Sequence, residues 1–140
     1  MSVTGVADLN RLAAALSRVG ENVPRELDRE TQRWVLAGLA RVKSNASGRP
    51  GPRRVTGDYT RTMNARFERS GQGLTGTIGT NAVQAMRLEF GFVGTDSLGR
   101  RYNQPPYPHW RPAFEWMTAN VRSELPGVIA QAISAQMRSA

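Results

Sequence analysis

Apolar residues recur every three or four positions through the first third of the chain, which is the period of a helix with one buried face. Asp8 is suited to an N-cap position and predicts a first helix over 8–19. A break over 20–23 follows, and Pro24, near the first helical position, predicts a second helix that fades near Asn45. The stripes are Leu9, Leu12, Ala13, Leu16 and Val19 in the first helix and Leu27, Thr31, Trp34, Val35, Gly38 and Val42 in the second.

The last part of the chain has the same helical period. Pro112 predicts the start of a helix, because a proline is tolerated where its missing N–H has no partner. Pro126 stands at an interior position that needs an N–H, so a break or kink is expected there. The apolar face consists of Phe114, Met117, Val121 and Leu125, and then of Val128, Ile129, Ala132, Ile133 and Met137.

Between the helical ends, apolar and polar residues alternate with the period of half-buried strands. A glycine-containing turn over 70–73 separates two such runs, which are therefore expected to pair as an antiparallel hairpin. The alternating positions are Met63, Ala65 and Phe67 in the first run and Leu74, Gly76 and Ile78 in the second.

Two further segments have the composition of loops. Residues 46–58 contain three glycines, two prolines and three arginines, with no acid before Asp58. Residues 94–109 form a long polar stretch, and loops of this length usually carry function or become ordered by a partner. Before the second loop, residues 82–89 predict a short helix that leads into a strand over 90–93.

These elements predict a single α+β domain over 1–140, with a small antiparallel sheet packed against N-terminal helices and a long, proline-interrupted C-terminal helix. The expected divisions are 1–45 helical, 46–110 strands and long loops, and 111–138 helical. The length suffices for a modest core without cysteines, of which there are none. The chain shows no basic leader followed by an apolar stretch, and its apolar runs are short, so we expect a soluble protein made in the cytoplasm, with no membrane partner.

The net charge of +8 favours anionic partners, either nucleic acid or acidic protein surfaces. Arginine beside aromatic residues can grip phosphates and stack bases, so a basic DNA-associated protein is one alternative. The arginines are spread over several elements, however, and no known DNA-binding signature accompanies them. Three groups are present: Arg49, Arg53 and Arg54; Arg61, Arg66 and Arg69; and Arg100 and Arg101, with Tyr102 and Tyr107 nearby.

Catalytic chemistry is not predicted. His109 is the single histidine, and no nucleophile or orienting acid stands near it, so a packed or hydrogen-bonded structural role is expected. Glu89 lies in an apolar neighbourhood and is expected to form a structural ion pair with one of the arginines. The sequence shows no metal-ligand spacing and no phosphate-binding glycine loop, so neither a metal nor another cofactor is expected, and the chain is not predicted to be an enzyme.

The succession of short motifs over about residues 46–115 resembles the tail-completion, or head–tail joining, family of tailed bacteriophages, typified by the gene-ten product of a lambdoid siphophage. The flanking helices are similar only in type and position. Tyr59 departs from the aliphatic residue that members often have, and the 49–54 loop is unusually basic. The matching parts are Pro52 with Val55-Thr56-Gly57, Ile78-Gly79-Thr80-Asn81-Ala82, Ala85, Leu88-Glu89-Phe90-Gly91-Phe92, Asp96, Gly99-Arg100, Pro106, Pro108-His109 and Arg111-Pro112-Ala113.

The resemblance implies a virion protein that forms a homo-oligomeric ring, expected to be sixfold, in the phage neck, assembled in the cytoplasm of a bacterial host. Such a ring would join the tail tube to the head connector or stopper, and a tail terminator that caps the tube is the alternative within the neck. Non-specific DNA contact in the channel stays open. In this interpretation the loops dock onto partners, Gly57 and Gly91 permit tight turns, and Glu89, His109 and Pro112 are structural. The expected docking residues are Arg49, Arg53, Arg54, Asp96, Arg100, Arg101 and Tyr102.

Overall fold

The structure is a computed structural model that describes residues 6–71 and 73–138. It has the predicted α+β composition, with two antiparallel two-stranded sheets between two long helices. The helices are α1 (Val6–Asn45), α2 (Asp58–Arg61), α3 (Ala85–Phe90) and α4 (Trp110–Arg138), and the strands are β1 (Asn64–Ser70), β2 (Gly73–Gly79), β3 (Phe92–Thr95) and β4 (Arg101–Gln104).

Helices α1 and α4 form an antiparallel pair that supports the rest of the fold. Near the end of α4, the side-chain amide of Asn22 in α1 donates to the side-chain carbonyl of Gln136 in α4 over 2.9 Å. Halfway along, Trp34 Nε1 donates to the Glu124 carboxylate over 2.8 Å, and Arg33 also pairs with that carboxylate. The pair therefore makes contact along most of the length of α4.

The predicted break over 20–23 is wrong, because α1 is one helix of 40 residues. Asp8 accordingly lies inside α1 and does not cap it, and Pro24 lies within the helix. An interior proline removes one backbone hydrogen bond, which is a local cost of roughly 3 kcal/mol. Because α1 packs against α4 on both sides of this position, the tertiary contacts outweigh that cost.

Of the break or kink expected at Pro126, the break does not occur. Pro126 lies inside α4, which continues to Arg138. Pro112 is the third residue of this helix, in the first turn, where the predicted tolerance for proline applies. The helix begins at Trp110, slightly before the predicted start.

The first hairpin is confirmed, with β1 and β2 paired antiparallel so that Phe67 stands opposite Gly76. Its β2 strand packs on α1 at two glycines. A Cβ atom on Gly76 would lie 2.4 Å from Val35 Cγ2, and one on Gly38 would lie 2.6 Å from Met117 Sδ and 3.0 Å from Ile78 Cδ1. Gly38 is thus where α1, α4 and β2 meet.

The second predicted loop, 94–109, is wrong in part, because it contains the end of β3 and all of β4. These strands form a second antiparallel hairpin with Phe92 opposite Gln104. Each strand has only four residues, and neither β3 (Phe-Val-Gly-Thr) nor the polar β4 (Arg-Tyr-Asn-Gln) shows the alternation that identifies a longer strand. The short helix expected within 82–89 is confirmed as α3, and the loop over 46–58 is confirmed up to the start of α2.

The core is small and joins four segments of the chain. Val42, Ala46, Met63 and Ala113 are almost fully buried and pack together, with Leu39, Tyr59 and Trp110 around them. The accessible surface of the chain is 9873 Å². A compact monomer of 15.4 kDa would expose about 7,200 Å². A large excess of surface therefore remains outside the core.

The crowding at Gly38 predicts a difference between two identical substitutions in α1. Gly38→Val should lower the free energy of unfolding by about 1–3 kcal/mol, because the new side chain overlaps Met117 and Ile78. Gly20→Val, where no atom lies within 4 Å of the added Cβ, should change it by less than about 0.5 kcal/mol. Urea denaturation of both variants measures the difference, and equal effects would contradict the close approach of the three elements.

Candidate functional site

A buried carboxylate caps the first turn of α4. Glu89, at the end of α3, is 7% exposed. One of its oxygens accepts the backbone N–H of His109 over 2.8 Å and that of Trp110 over 3.0 Å, and the other accepts the N–H of Arg111 over 3.0 Å. These donors are among those that a helix start leaves without partners, and the positive end of the helix dipole favours a negative charge at this point.

The prediction that Glu89 pairs with an arginine is therefore wrong. Burial alone would raise the pKa of Glu89, but the backbone donors of Arg111, His109 and Trp110 lower this pKa below its ordinary value. The carboxylate is ionised at neutral pH and its oxygens are occupied. A helix start without Ser, Thr, Asp or Asn before it, as in Pro108-His109-Trp110, is the sequence signal that points to a borrowed cap.

His109 is fully buried beside this carboxylate and is confirmed as a hydrogen-bonded structural residue. Its Nδ1 lies 2.7 Å from the Tyr107 carbonyl, which can only accept, so Nδ1 carries a proton. Its Nε2 lies 2.7 Å from the Tyr59 hydroxyl, and Trp110 Nε1 donates to that hydroxyl over 3.1 Å. Nδ1 is also 3.1 Å from a Glu89 oxygen, so both ring nitrogens lie within hydrogen-bonding distance of groups of this cluster or its flanking backbone.

This cluster of Tyr59, Glu89, His109 and Trp110 fixes the positions of three short segments. It joins α3 and the start of α4 to Tyr59, which belongs to α2. The Tyr107 N–H also donates to the Leu88 carbonyl over 2.7 Å. The cluster therefore holds the walls of the groove described next.

The loop after α1 borders a groove of about 420 Å³, a volume typical of a ligand site. Its other wall is formed by α2, α3 and the segment before α4. We call this the arginine groove, because the expected docking residues Arg49, Arg53 and Arg54 all line it. The remaining lining residues are Ala46, Pro52, Val55, Thr56, Gly57, Asp58, Tyr59, Thr60, Gln84, Leu88 and Tyr107.

Two of the three guanidinium groups have defined positions. Arg49 donates to the Gly51 carbonyl and lies 3.8 Å from the centre of the Tyr107 ring. Arg54 lies against Gly57, where a Cβ atom would come within 2.8 Å of its guanidinium. Gly57 has a φ of 83°, which favours glycine, and this agrees with the tight turn expected there. Arg53 is exposed and, in the described part of the chain, neither it nor Arg54 has an acidic partner.

The other expected docking residues lie outside the arginine groove: Asp96 and Arg100 in the turn between β3 and β4, and Arg101 and Tyr102 in β4 itself. The Asp96 carboxylate accepts the backbone N–H groups of Leu98 and Arg100, the Arg100 side chain over 2.6 Å and the Tyr102 hydroxyl over 3.2 Å. Asp96 thus organises its own turn. Desolvation raises the pKa of Asp96, but the donors of Arg100, Leu98 and Tyr102 together lower this pKa below its ordinary value. Arg101 is exposed and has no acidic partner within the described residues.

Gly91 marks a close approach between α3 and the segment that follows β4. Its φ of 80° favours glycine, and a Cβ atom there would lie 2.7 Å from the Gln104 carbonyl oxygen. The turn role expected for Gly91 agrees with this position.

The second arginine group is largely neutralised by internal ion pairs. Arg61 pairs with Asp58 over 2.6 Å and Arg69 with Asp28 over 2.8 Å. Only Arg66 of this group is without an acidic partner in the part of the chain that the structure describes. The cationic character is therefore concentrated in the arginine groove more than in this second group.

An exposed apolar surface lies on α3 and β3 and was not predicted. Met86 and Phe90 are one helical turn apart on α3, and Val83 and Val93 flank them in sequence. These four side chains are between 65% and 93% exposed. We call them the α3–β3 apolar surface. The period of four residues in Met86 and Phe90 was visible in the sequence, but that pattern alone does not distinguish a buried face from an exposed one.

Both oxygens of Glu89 and both ring nitrogens of His109 are engaged in hydrogen bonds within the protein. Within the described residues no group of three or more acidic or histidine side chains is placed to hold a metal ion. In that same part of the chain no helix is both long and apolar enough to cross a bilayer.

The cap predicts a stability that depends on pH. Glu89→Gln should lower the free energy of unfolding at pH 7 by about 1–3 kcal/mol, because a charged acceptor is lost from buried N–H groups. The contribution of Glu89 is present above its ordinary pKa of 4.5 and declines as the pH falls through the lowered pKa of the folded state. Denaturation from pH 7 to pH 3 should show the two proteins converging, and a difference that is constant with pH would contradict the cap.

Comparison of the chain with protein-family models, with curated proteins and with solved structures found no match. The resemblance to phage neck proteins therefore stays an expectation that rests on the motif succession. The fold presents three candidate interaction surfaces: the arginine groove, the β3–β4 turn and the α3–β3 apolar surface.

Proposed function

We propose that this chain is a structural virion protein of the phage neck, which forms a ring and joins the tail tube to the head connector. The observation that carries the proposal is the α3–β3 apolar surface on a chain with an unusually large accessible area. The motif succession supplies the biological setting, and the fold supplies surfaces suited to assembly.

The exposed area of the chain can be compared with the area that a subunit of a ring buries. The chain exposes about 2,700 Å² more than a compact monomer of its mass, by the usual scaling of area with mass. A subunit of a ring has two neighbours and buries about 800 Å² against each in an interface of standard size. The excess is therefore large enough for both neighbours and for a further partner.

The separation of the exposed apolar side chains from the arginine groove supports a ring in which different surfaces contact different proteins. Apolar side chains such as Phe90 suit a permanent contact between copies, since obligate interfaces resemble a divided core. The arginine groove is cationic and differs in composition from the α3–β3 apolar surface, which suits a different protein. A ring needs a head-to-tail contact that closes, and the sixfold number is carried by the resemblance alone.

A tail terminator is the second candidate within the neck, since a ring that caps the tail tube needs the same apolar contact between copies. The motif succession favours tail completion. In either role the protein belongs to the virion, in the neck or tail, and is assembled in the cytoplasm of the host.

The arginine pairing weighs against a protein devoted to DNA binding. Arg61, Arg69 and Arg100 are engaged with carboxylates of this chain, which reduces the charge available to phosphates. Non-specific contact with DNA that passes through the ring remains compatible with the free arginines.

The proposal predicts that the purified protein forms a discrete oligomer whose mass does not depend on DNA, measured by light scattering behind a sizing column. Replacement of Met86 and Phe90 by glutamate should convert it to a folded monomer, because charges would be buried in the interface. Leu36→Glu, at an exposed apolar position on α1, is the control and should keep the oligomer.

Two results would contradict the ring. One is a monomer at all concentrations, and the other is a monomer that associates only when DNA is added and dissociates as salt rises. The second result would favour the DNA-associated alternative.

A further inference from the structure

We propose that the arginine groove binds an extended acidic segment of a partner protein, in which carboxylate side chains alternate with apolar ones. This inference rests on the proposed function for the setting in which the partner occurs. The chemistry of the ligand is argued from the groove itself.

The charge of the groove is unbalanced. Arg49, Arg53 and Arg54 line it, whereas its one acid, Asp58, is already paired with Arg61 over 2.6 Å. Guanidinium groups bind carboxylates through two parallel hydrogen bonds, which gives both strength and orientation. A ligand with at least two carboxylates would therefore satisfy the groups that the chain leaves unpaired.

Arg49 is ordered before any ligand arrives, because the Gly51 carbonyl and the Tyr107 ring hold its guanidinium. The Arg54 guanidinium lies against the backbone of Gly57, whose missing side chain permits that contact. Groups that are already ordered lose less conformational entropy on binding, so they contribute more to affinity.

The groove also has an apolar component. Val55 is 91% exposed at its rim, and Ala46, Pro52 and Leu88 contribute to its lining. A valine side chain left in water beside a concave site is suited to contact with an apolar side chain of a ligand. Alternating carboxylate and apolar side chains match this mixture better than a free inorganic anion does.

Nucleic acid fits the groove less well. Single strands are held by stacking of bases on open aromatic faces. One face of Tyr107 is covered by the Arg49 guanidinium at 3.8 Å from the ring centre, and the Tyr59 hydroxyl is bound to His109 and Trp110. The aromatic side chains of the groove are thus engaged within the protein.

A second copy of this chain is also a poor source of the ligand. Most acidic side chains in the described part of the chain already have partners there, so few carboxylates are free to enter a neighbouring groove. The engaged ones are Glu26, Asp28, Glu30, Asp58, Glu89, Asp96 and Glu124. The acidic segment is therefore assigned to a different protein.

The test uses fluorescence anisotropy of the full-length protein at 0.15 M salt with three labelled probes. These are a hexapeptide of alternating aspartate and leucine, the same peptide with asparagine for aspartate, and a six-nucleotide oligothymidylate. We expect the acidic peptide to bind about tenfold more tightly than either of the others.

Variants locate the binding. Arg53→Glu with Arg54→Glu should weaken binding of the acidic peptide by about tenfold or more, because both carboxylate partners are reversed in charge. Arg66→Glu with Arg101→Glu makes the same change in net charge at exposed, unpaired arginines outside the groove, and should weaken it by less than about threefold. Circular dichroism checks that both variants are folded.

Three results would overturn the proposal: no binding of the acidic peptide, tighter binding of the oligothymidylate, or equal losses in the two double variants. The sizing experiment separates this outcome from the proposed function. If the wild-type protein is a monomer that binds the acidic peptide at the groove, the ring is contradicted and the assignment of the ligand is supported. If the protein forms a ring that does not bind the peptide, the ring is supported and the assignment of the ligand is contradicted.

Discussion

One buried carboxylate joins parts of the chain that are distant in sequence, and the position of the other features depends on it. Glu89 ends α3 and accepts three backbone N–H groups at the start of α4. His109 and Trp110, held there, reach Tyr59 in α2 through two further hydrogen bonds. The walls of the arginine groove belong to these same segments, so the geometry of a surface site is set by a cap in the interior.

The charge of that carboxylate is stabilised mainly by dipoles of the backbone, and no arginine or lysine pairs with it among the described residues. Burial opposes ionisation, and the N–H donors of the first turn of α4 outweigh it, which gives the lowered pKa. Because the backbone N–H groups satisfy the Glu89 carboxylate, no arginine is needed to pair with it. Arg53 and Arg54 are consequently free to meet a partner, whereas Arg33, Arg61, Arg69 and Arg100 stabilise the fold through carboxylates elsewhere.

Periodicity predicted the elements that repeat and missed the contacts that join them. The α+β class, the β1–β2 hairpin and the C-terminal helix follow from patterns of a few residues, and all are present. The sequence predicted a break over 20–23, just before Pro24, and a break or kink at Pro126. Neither α1 nor α4 is broken there, because packing between the two helices outweighs the local cost of a proline. The cap by Glu89 depends on a residue twenty positions before the helix that it serves, and no local pattern contains that distance.

The division between the cationic groove and the apolar surface supports the proposal that the chain is a subunit of the phage neck. The apolar side chains of α3 and β3 suit contact between copies, and the cationic groove suits a different protein. The short helix α3 contributes to both surfaces, because it carries Phe90 on its exposed face and Leu88 towards the groove.

The most direct test is electron microscopy of particles from a phage in which the gene for this chain is deleted. The account predicts DNA-filled heads and separate tails of normal length, which rejoin when the protein is supplied. Overlong tails would instead indicate a terminator, and intact particles, or heads that fail to package DNA, would contradict a role in joining the tail to the head.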